Sequence, residues 1–229
     1  FYKNGAIRDE CIYSEGRLHG LCRVWYPSGQ KKTEYSFREG LPDGAWREWY
    51  PETNQLIREE FYRMGRPDGL WRIYFPGRGL KEEKGYRNGL PHGSWSTWFR
   101  NGKSRTSGAY QDGKEHGVWK SWRESGQIVL ENSFERGEKH GRWREWSERG
   151  QLLAESFYLH GKKTGIWSRW SPEGRLRTRG EYRDEKEHGV WRSWSEKGQI
   201  LQENSFADGE SHGRWREWSE RGQLLAESF

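Results

Sequence analysis

The sequence predicts an all-β protein, an elongated single-layer meander of stacked β-hairpin repeats. Trp-x-x-Trp, or a close variant of it, recurs along the whole chain every 24 residues, with one unit of 25. Glycines interrupt every candidate helix within about ten residues, which is too short for a stable isolated helix. Only 31% of the 229 residues are hydrophobic, yet there are 16 Trp, 11 Tyr and 9 Phe. Disordered chains lack aromatic residues, so this composition favours a thin sheet with half-exposed side chains.

The repeat sets the organisation of the chain. When each unit is numbered from the residue before its first Trp, the units begin at Leu21, Ala45, Leu70, Ser94, Val118, Arg142, Ile166, Val190 and Arg214. We predict a partial N-terminal repeat at 1–20, eight repeats at 21–213 and a partial C-terminal repeat at 214–229, as one continuous array. Residues 142–157 and 214–229 are identical and lie three units apart, which indicates duplication of a three-unit cassette.

Each unit is predicted to contain two strands, at positions 1–6 and 10–18, because these segments are rich in aromatic and β-branched residues and are bounded by glycine. The short link between them, such as 124–126, suits a tight hairpin whose glycine has a positive φ. The second link, such as 112–117, holds two glycines and is predicted to make two left-handed turns.

The aromatic positions predict which face each side chain occupies. Positions 2 and 5 are three residues apart, so in a regular strand they point to opposite faces of the sheet. Position 17 is aromatic wherever it occurs and can fill the gap between successive position-2 tryptophans. We therefore expect position 2 to hold the hairpins together through cross-strand aromatic pairs.

These spacings resemble the MORN repeat family, in its bacterial variant form. The resemblance covers essentially the whole chain, and its pattern is seen in residues such as Gly117, Trp119, Trp122, Gly126, Phe134, Gly137, His140 and Gly141. It implies an elongated sheet of stacked hairpins that acts as an interaction scaffold, with lipid binding in some members. The chain departs from the family in its density of Trp and Arg, in Glu185 and in Cys22.

The charge pattern argues against a nucleic-acid partner. The chain has 40 Lys and Arg against 34 Asp and Glu, and the two signs alternate over short distances, as expected of a solvated surface. No segment has the ~18 uninterrupted apolar residues of a membrane span, and the printed residues contain no signal-peptide pattern. Cys11 and Cys22 lie on adjacent predicted strands. A disulfide between them requires Cα atoms within ~7 Å, which depends on a register that the sequence does not give, and we expect free thiols in preference to a disulfide.

Catalysis, cofactors and metals are not expected. Six histidines occupy position 23, but equivalent residues should lie ~9.6 Å apart, whereas zinc ligands must converge within ~2.1 Å of one ion. We therefore interpret them as turn residues. The glutamates of Trp-Arg-Glu-Trp (Glu48, Glu145 and Glu217) recur at the same position of different repeats, whereas an enzyme gathers its catalytic residues at one site. The sequence also contains no known catalytic motif.

The candidate binding residues are the aromatic side chains at position 5 and the basic side chains at position 3, which share one face. The position-5 residues are Trp25, Trp49, Tyr74, Trp98, Trp122, Trp146, Trp170, Trp194 and Trp218. The position-3 residues are Arg23, Arg47, Arg72, Lys120, Arg144, Arg192 and Arg216. Guanidinium groups beside indoles suit cation–π packing and equally suit an acidic or carbohydrate partner.

Position 6 changes along the chain, from Tyr26, Tyr50, Phe75 and Phe99 to Arg123 and then to serine. The N-terminal half could carry an aromatic contact patch there, or the change could be local repacking; the sequence does not separate the two. The ends of a meander leave unpaired strands, so end-to-end or edge association of the chain with itself is also expected.

The sequence thus predicts a non-enzymatic scaffold or binding module that mediates protein–protein interaction or assembly through an extended aromatic and basic surface. A carbohydrate- or cell-envelope-binding repeat protein is the alternative, since rows of Trp and Tyr also stack on sugars. Peripheral binding to anionic lipid is a third hypothesis.

Overall fold

A computed structural model describes residues 1–77 and 79–229 and confirms the all-β prediction. The described residues contain 20 strands and no helix, and the strands follow one another in hairpin meander order. The chain divides into two compact units, Phe1–Lys114 and Glu115–Phe229.

In the first unit each strand pairs antiparallel with its neighbour in sequence. Its strands are β1 (Asp9–Ser14), β2 (Arg17–Trp25), β3 (Lys31–Arg38), β4 (Leu41–Trp49), β5 (Leu56–Arg63), β6 (Arg66–Pro67), β7 (Gly69–Tyr74), β8 (Leu80–Arg87), β9 (Leu90–Trp98) and β10 (Ser104–Gln111). The short strands β6 and β7 both pair with β5.

The second unit repeats the same antiparallel pattern. Its strands are β11 (Lys114–Trp122), β12 (Ile128–Glu135), β13 (Glu138–Trp146), β14 (Leu152–Leu159), β15 (Lys162–Trp170), β16 (Leu176–Arg183), β17 (Lys186–Trp194), β18 (Ile200–Ala207), β19 (Glu210–Trp218) and β20 (Leu224–Ser228).

The short link within each repeat has the predicted conformation, but the link between successive repeats differs from the prediction. The short links contain a glycine with positive φ, as at Gly126 (96°). The predicted six-residue link at 112–117 is wrong, because only Asp112 and Gly113 form the turn and β11 already begins at Lys114. Both turn residues have positive φ, 49° and 84°, as in a type I′ hairpin. The strand containing each Trp pair is therefore nine residues long, not six.

The second residue of these two-residue turns is glycine in the other repeats, but in the turn between β16 and β17 it is Glu185. Its φ is 68°, a left-handed conformation that costs a residue with a Cβ roughly 1–2 kcal/mol. Its N–H still donates to the carbonyl of Lys163 at 3.0 Å, so the stacking hydrogen bond made by the turn glycines of other repeats is kept.

We therefore expect Glu185→Gly to raise the free energy of unfolding by about 1 kcal/mol, measured by urea denaturation. Asp184→Gly is the matched control, since aspartate tolerates a left-handed turn position better and the change should be nearly neutral. Equal effects of the two substitutions would contradict this explanation.

The sheet has no buried core of the usual kind. Among the described residues Cys22 is the only buried hydrophobic side chain, at 8% exposure, and no side chain is completely buried. Cys22 lies directly opposite Cys11 in the β1–β2 pair, with their Cα atoms 3.9 Å apart. The two form a disulfide, so the expectation of free thiols is wrong. The reason is the register, which places the two side chains face to face.

Candidate interaction surface

One face of the sheet carries an aromatic ladder made by positions 2 and 17 of successive repeats. Neighbouring ring centroids are 4.6–5.9 Å apart. In the first unit the order is Trp46, Tyr62, Trp71, Tyr86, Trp95 and Tyr110; in the second it is Phe134, Trp143, Tyr158, Trp167, Tyr182 and Trp191. Tyr35, a position-15 residue paired with Cys22, packs on Trp46 at the start of the first row. The aromatic ladder therefore holds consecutive hairpins together, as the sequence predicts for these positions.

Five tryptophans of the aromatic ladder, Trp71, Trp95, Trp143, Trp167 and Trp191, donate their indole N–H to a backbone carbonyl ten residues earlier, whereas the buried indole nitrogen of Trp46 has no acceptor among the described residues. The Trp143 indole N–H donates to the carbonyl of Ser133 at 3.0 Å, ten residues earlier, and Trp71 donates in the same way to Phe61 at 3.0 Å. The Lys139 ammonium group lies 4.4 Å from the Trp143 ring centroid, within cation–π range. These contacts give position 2 a structural role.

Partial burial in the ladder also changes the acidity of its tyrosines. Burial raises the pKa of Tyr86, Tyr158 and Tyr182, because the phenolate would lose hydration. The pKa of Tyr62 is raised furthest, by burial first and then by its hydrogen bond to the Glu60 carboxylate at 2.8 Å. These phenols therefore stay neutral well into the alkaline range.

In each unit the face opposite the aromatic ladder carries that unit's members of the position-5 row: Trp25, Trp49, Tyr74 and Trp98 in the first, and Trp122, Trp146, Trp170, Trp194 and Trp218 in the second. All nine side chains are half-buried. Within the part of the chain that the structure describes, none of them makes a ring–ring contact, in contrast to position 2. A depression lined by Trp167, Tyr182 and Trp191 is separate from one lined by Trp194. The position-5 row is thus the aromatic surface that the sheet does not use for its own ring stacking.

The position-3 side chains form an ion-pair ladder with position-14 glutamates on the same face as the position-5 row. Each arginine Nε contacts the glutamate of its own hairpin at 2.7–3.1 Å, in the pairs Arg23–Glu34, Arg47–Glu59, Arg72–Glu83, Arg144–Glu155, Arg192–Glu203 and Arg216–Glu227. Lys120 contacts Glu131 at 3.1 Å. Five of these arginines also reach the glutamate of the preceding hairpin at 3.5–3.8 Å. The predicted basic row is therefore largely neutralised within the sheet.

The ion-pair ladder also sets the ionisation of its members. Although burial of Glu34 favours its neutral form, hydrogen bonds and charge from Lys31 and Arg23 lower the pKa of this carboxyl group overall. The hydrogen bond to Glu83 raises the pKa of Arg72. Both charges therefore persist at neutral pH, and exposed pairs of this kind contribute about 0–1 kcal/mol each.

The ion-pair ladder is interrupted by one serine pair in the first unit and by one arginine in the second. Ser96 and Ser107 oppose each other in the first unit. In the second unit Arg179 takes a glutamate position, between Ser168 on one side and Arg192 on the other. Among the described residues Arg179 has no carboxylate within ion-pair distance, and Arg192 has only Glu203.

This interruption coincides with a shallow depression of about 170 Å³. Its walls are formed by Arg179 and Arg192, by Gly180 and Glu181, by the position-5 residue Trp194, and by the exposed aliphatic side chains of Ile166 and Val190. Among the described residues Glu181 makes no ion pair with either arginine. In the second unit, Arg179 and Arg192 thus lie opposite each other on paired strands, next to the Trp194 indole.

The remaining sequence candidates serve the turns. Tyr26 at position 6 donates its hydroxyl hydrogen to the Trp49 carbonyl at 2.9 Å, whereas Ser147 at the same position accepts the N–H groups of Arg149 and Gln151. This difference supports local repacking at position 6. Position 23 caps the following turn, since His92 Nδ1 accepts the Asp112 N–H at 3.4 Å, as Asp43 does for Met64 at 3.1 Å.

Sequence reasoning placed the position-3 and position-5 side chains on one face but missed the glutamate partners. Their signal was available, because position 14 is glutamate in most repeats: Glu10, Glu34, Glu59, Glu83, Glu131, Glu155, Glu203 and Glu227. Arg179 could have been identified from the sequence as well, because it is the arginine at a position that is glutamate in most repeats. Among the described residues there is no helix long and apolar enough to cross a membrane.

Comparison with known families agrees with this geometry. The model of the MORN repeat variant matches residues 18–39, 115–136, 139–160 and 187–208. The four matched segments each end in or just after the two-residue hairpin turn, and the resemblance stated from the sequence is confirmed. No curated protein matches the chain significantly.

Proposed function

We propose that this chain, which carries repeats of the MORN repeat variant family, is a non-enzymatic scaffold that binds another protein through the face bearing the position-5 row. One observation carries the proposal: within the described residues the periodic row of half-buried position-5 aromatic side chains makes no ring–ring contact, whereas on the opposite face Trp46, Trp71, Trp95, Trp143, Trp167 and Trp191 pack against neighbouring rings. Aromatic side chains of this kind are the usual anchors of protein interfaces. All-β arrays of this family are not a typical enzyme fold.

The ion-pair ladder adds a chemical preference. Because most position-3 cations are already paired, the face is mainly aromatic with its charges balanced, which favours a protein partner over a polyanion such as nucleic acid. The interruption at Arg179 and Arg192 is the exception, since a carboxylate placed between them would complete the ladder as Glu203 does between Arg192 and Arg216. We infer an acidic side chain of the partner at this point, next to Trp194.

The substitution Arg179→Glu tests the inferred contact, because it should stabilise the protein but weaken its binding to an acidic partner. The substitution restores a glutamate to the ladder opposite Arg192, so the free energy of unfolding should rise by up to about 1 kcal/mol. The same carboxylate occupies the position proposed for the partner and repels it, so binding of an acidic peptide should weaken at least about tenfold.

The peptide is selected from a random display library on the full chain and then measured by titration calorimetry. Lys197→Glu is the matched control, an equal change of charge at an exposed turn residue of the neighbouring hairpin, and should leave affinity unchanged. Trp194→Ala should also weaken binding. Selected peptides without acidic residues, or equal affinity for the Arg179 and Lys197 variants, would contradict the inferred contact.

The carbohydrate, lipid and self-association hypotheses can be tested with the same purified protein. Retention on insoluble polysaccharide that is lost in Trp170→Ala would favour the carbohydrate hypothesis, to which the same aromatic row is suited. Pelleting with anionic vesicles that disappears as salt is added would favour lipid binding. Concentration-dependent light scattering in the absence of peptide would identify a second copy of the chain as the partner.

A further inference from the structure

The seventh histidine, His160, is the starting point. It lies outside the position-23 row and occupies the first residue of a two-residue turn between β14 and β15, with a φ of 47°. The next residue, Gly161, donates its N–H to the carbonyl of Lys139 at 2.8 Å. This hydrogen bond holds the turn against β13, immediately beside His140.

As a result two imidazoles from adjacent repeats meet. The ring centroids of His140 and His160 are 5.2 Å apart, about half the spacing between equivalent residues of stacked hairpins. A carboxylate joins them, because Glu135 Oε2 lies 3.3 Å from His140 Nδ1. One ligand atom from each of the three residues lies within 4.8 Å of the others.

We propose that Glu135, His140 and His160 form a binding site for a divalent transition-metal ion, with zinc as the expected occupant. Two imidazole nitrogens and one carboxylate oxygen are a common three-ligand set for zinc, with water as the fourth ligand. Bonds of about 2.0–2.1 Å in a tetrahedral site place neighbouring ligand atoms about 3.3–3.4 Å apart. The Glu135–His140 pair already has this separation.

Rotation of the His160 side chain is enough to bring its imidazole nitrogen to the distance that a bound ion requires. His160 is exposed, so its ring can turn inward without moving the sheet. His140 Nδ1 is buried and makes no hydrogen bond to the described residues, which leaves it available to an ion. Glu138 is the cross-strand partner of Glu135, so a second carboxylate near the site adds to the attraction for a cation.

Other repeats show why the site is specific to this place. His116 and His188 also have a buried Nδ1 without a hydrogen bond, but the turn residue equivalent to His160 is Arg136 beside His116. Beside His188 it is Asp208, and the described residues there do not bring three ligand atoms within 4.8 Å of one another. At His92 the corresponding turn residue is Asp112, whose backbone N–H already donates to Nδ1 at 3.4 Å, so that nitrogen has no lone pair left for an ion. A bound ion would link the β12–β13 hairpin to the β14–β15 hairpin by bonds additional to the aromatic ladder.

The test is titration calorimetry of zinc chloride into the full chain, comparing the unmodified protein with His160→Asn and His116→Ala. Asparagine tolerates a left-handed turn position, so His160→Asn should fold normally, as circular dichroism and thermal unfolding will verify. We expect one zinc equivalent at this site, an affinity lower by on the order of 100-fold in His160→Asn, and no change in His116→Ala.

Cobalt substitution provides a readout that reports geometry. The unmodified protein and His116→Ala should show the intense visible absorption of tetrahedral Co²⁺, and His160→Asn should not. Equal zinc affinity in His160→Asn and the unmodified protein would overturn the proposal, as would an affinity lost only in His116→Ala or a purely octahedral cobalt spectrum.

Discussion

Trp143→Ala is expected to lower the free energy of unfolding by about 2–3 kcal/mol, towards the low end for loss of a large aromatic side chain because the ring is only half-buried. The substitution removes one member of the aromatic ladder. The ring lies 5.2 Å from Phe134 and 5.3 Å from Tyr158, so two repeats lose their contact through it. The hydrogen bond from the indole to Ser133 and the cation–π contact with Lys139 are lost at the same time.

Trp146→Ala in the same strand is the matched control. Trp146 is also half-buried but belongs to the position-5 row, which makes no ring–ring contact within the described residues. We expect a loss of about 1 kcal/mol, since less packing is removed. Urea denaturation gives the totals, and hydrogen exchange shows whether protection is lost in the hairpins on both sides of β13. Equal costs for the two variants would contradict a structural division between the two rows.

Gly85→Ala is expected to destabilise the protein by about 3 kcal/mol, the upper part of the range for overpacking. A Cβ on Gly85 would overlap the carbonyl oxygen of His92 and lie 3.5 Å from that of Ser94. Both atoms belong to the backbone of β9, so no side-chain rotation relieves the overlap. The strand must move, and with it the Trp95 indole, which donates to the Gly85 carbonyl at 3.2 Å.

Gly102→Ala separates this overlap from the general cost of replacing glycine. Nothing lies within 4 Å of a Cβ at Gly102, but its φ is 83°, so the substitution should cost only the roughly 1–2 kcal/mol of a left-handed conformation. Thermal unfolding of both variants provides the comparison. A smaller loss for Gly85→Ala than for Gly102→Ala would show that β8 and β9 can separate easily, against the packing described here.

The repeat also explains why Gly85 would be misjudged from the sequence. Other units carry Ser36 and Phe61 at the equivalent position, and glycine normally weakens a strand, so the period alone suggests that alanine would stabilise β8. The close approach of the His92 carbonyl reverses that expectation.

Much of the fold could be derived from the sequence because the chain is periodic. In a stacked array the neighbours of a residue are the equivalent positions of adjacent repeats, so a column of Trp at position 2 and a column of aromatics at position 17 predict the ladder directly. The hairpins, the absence of a thick core and the MORN resemblance follow from the same columns. Glycine in the short link predicted its own conformation, because positive φ is a local property.

Only the tertiary structure decided which residues face each other across strands. The two-residue turn at Asp112 and Gly113 makes the Trp-bearing strand begin four residues earlier than predicted, at Lys114, and turns of this kind fix the register along both sides of the hairpins. The register then pairs position 3 with position 14, brings Cys11 opposite Cys22 and sets Arg179 against Arg192. It also brings His160 to His140 from different positions of adjacent repeats. Composition and spacing name these side chains, but their pairing depends on a turn whose length changes every contact in the sheet.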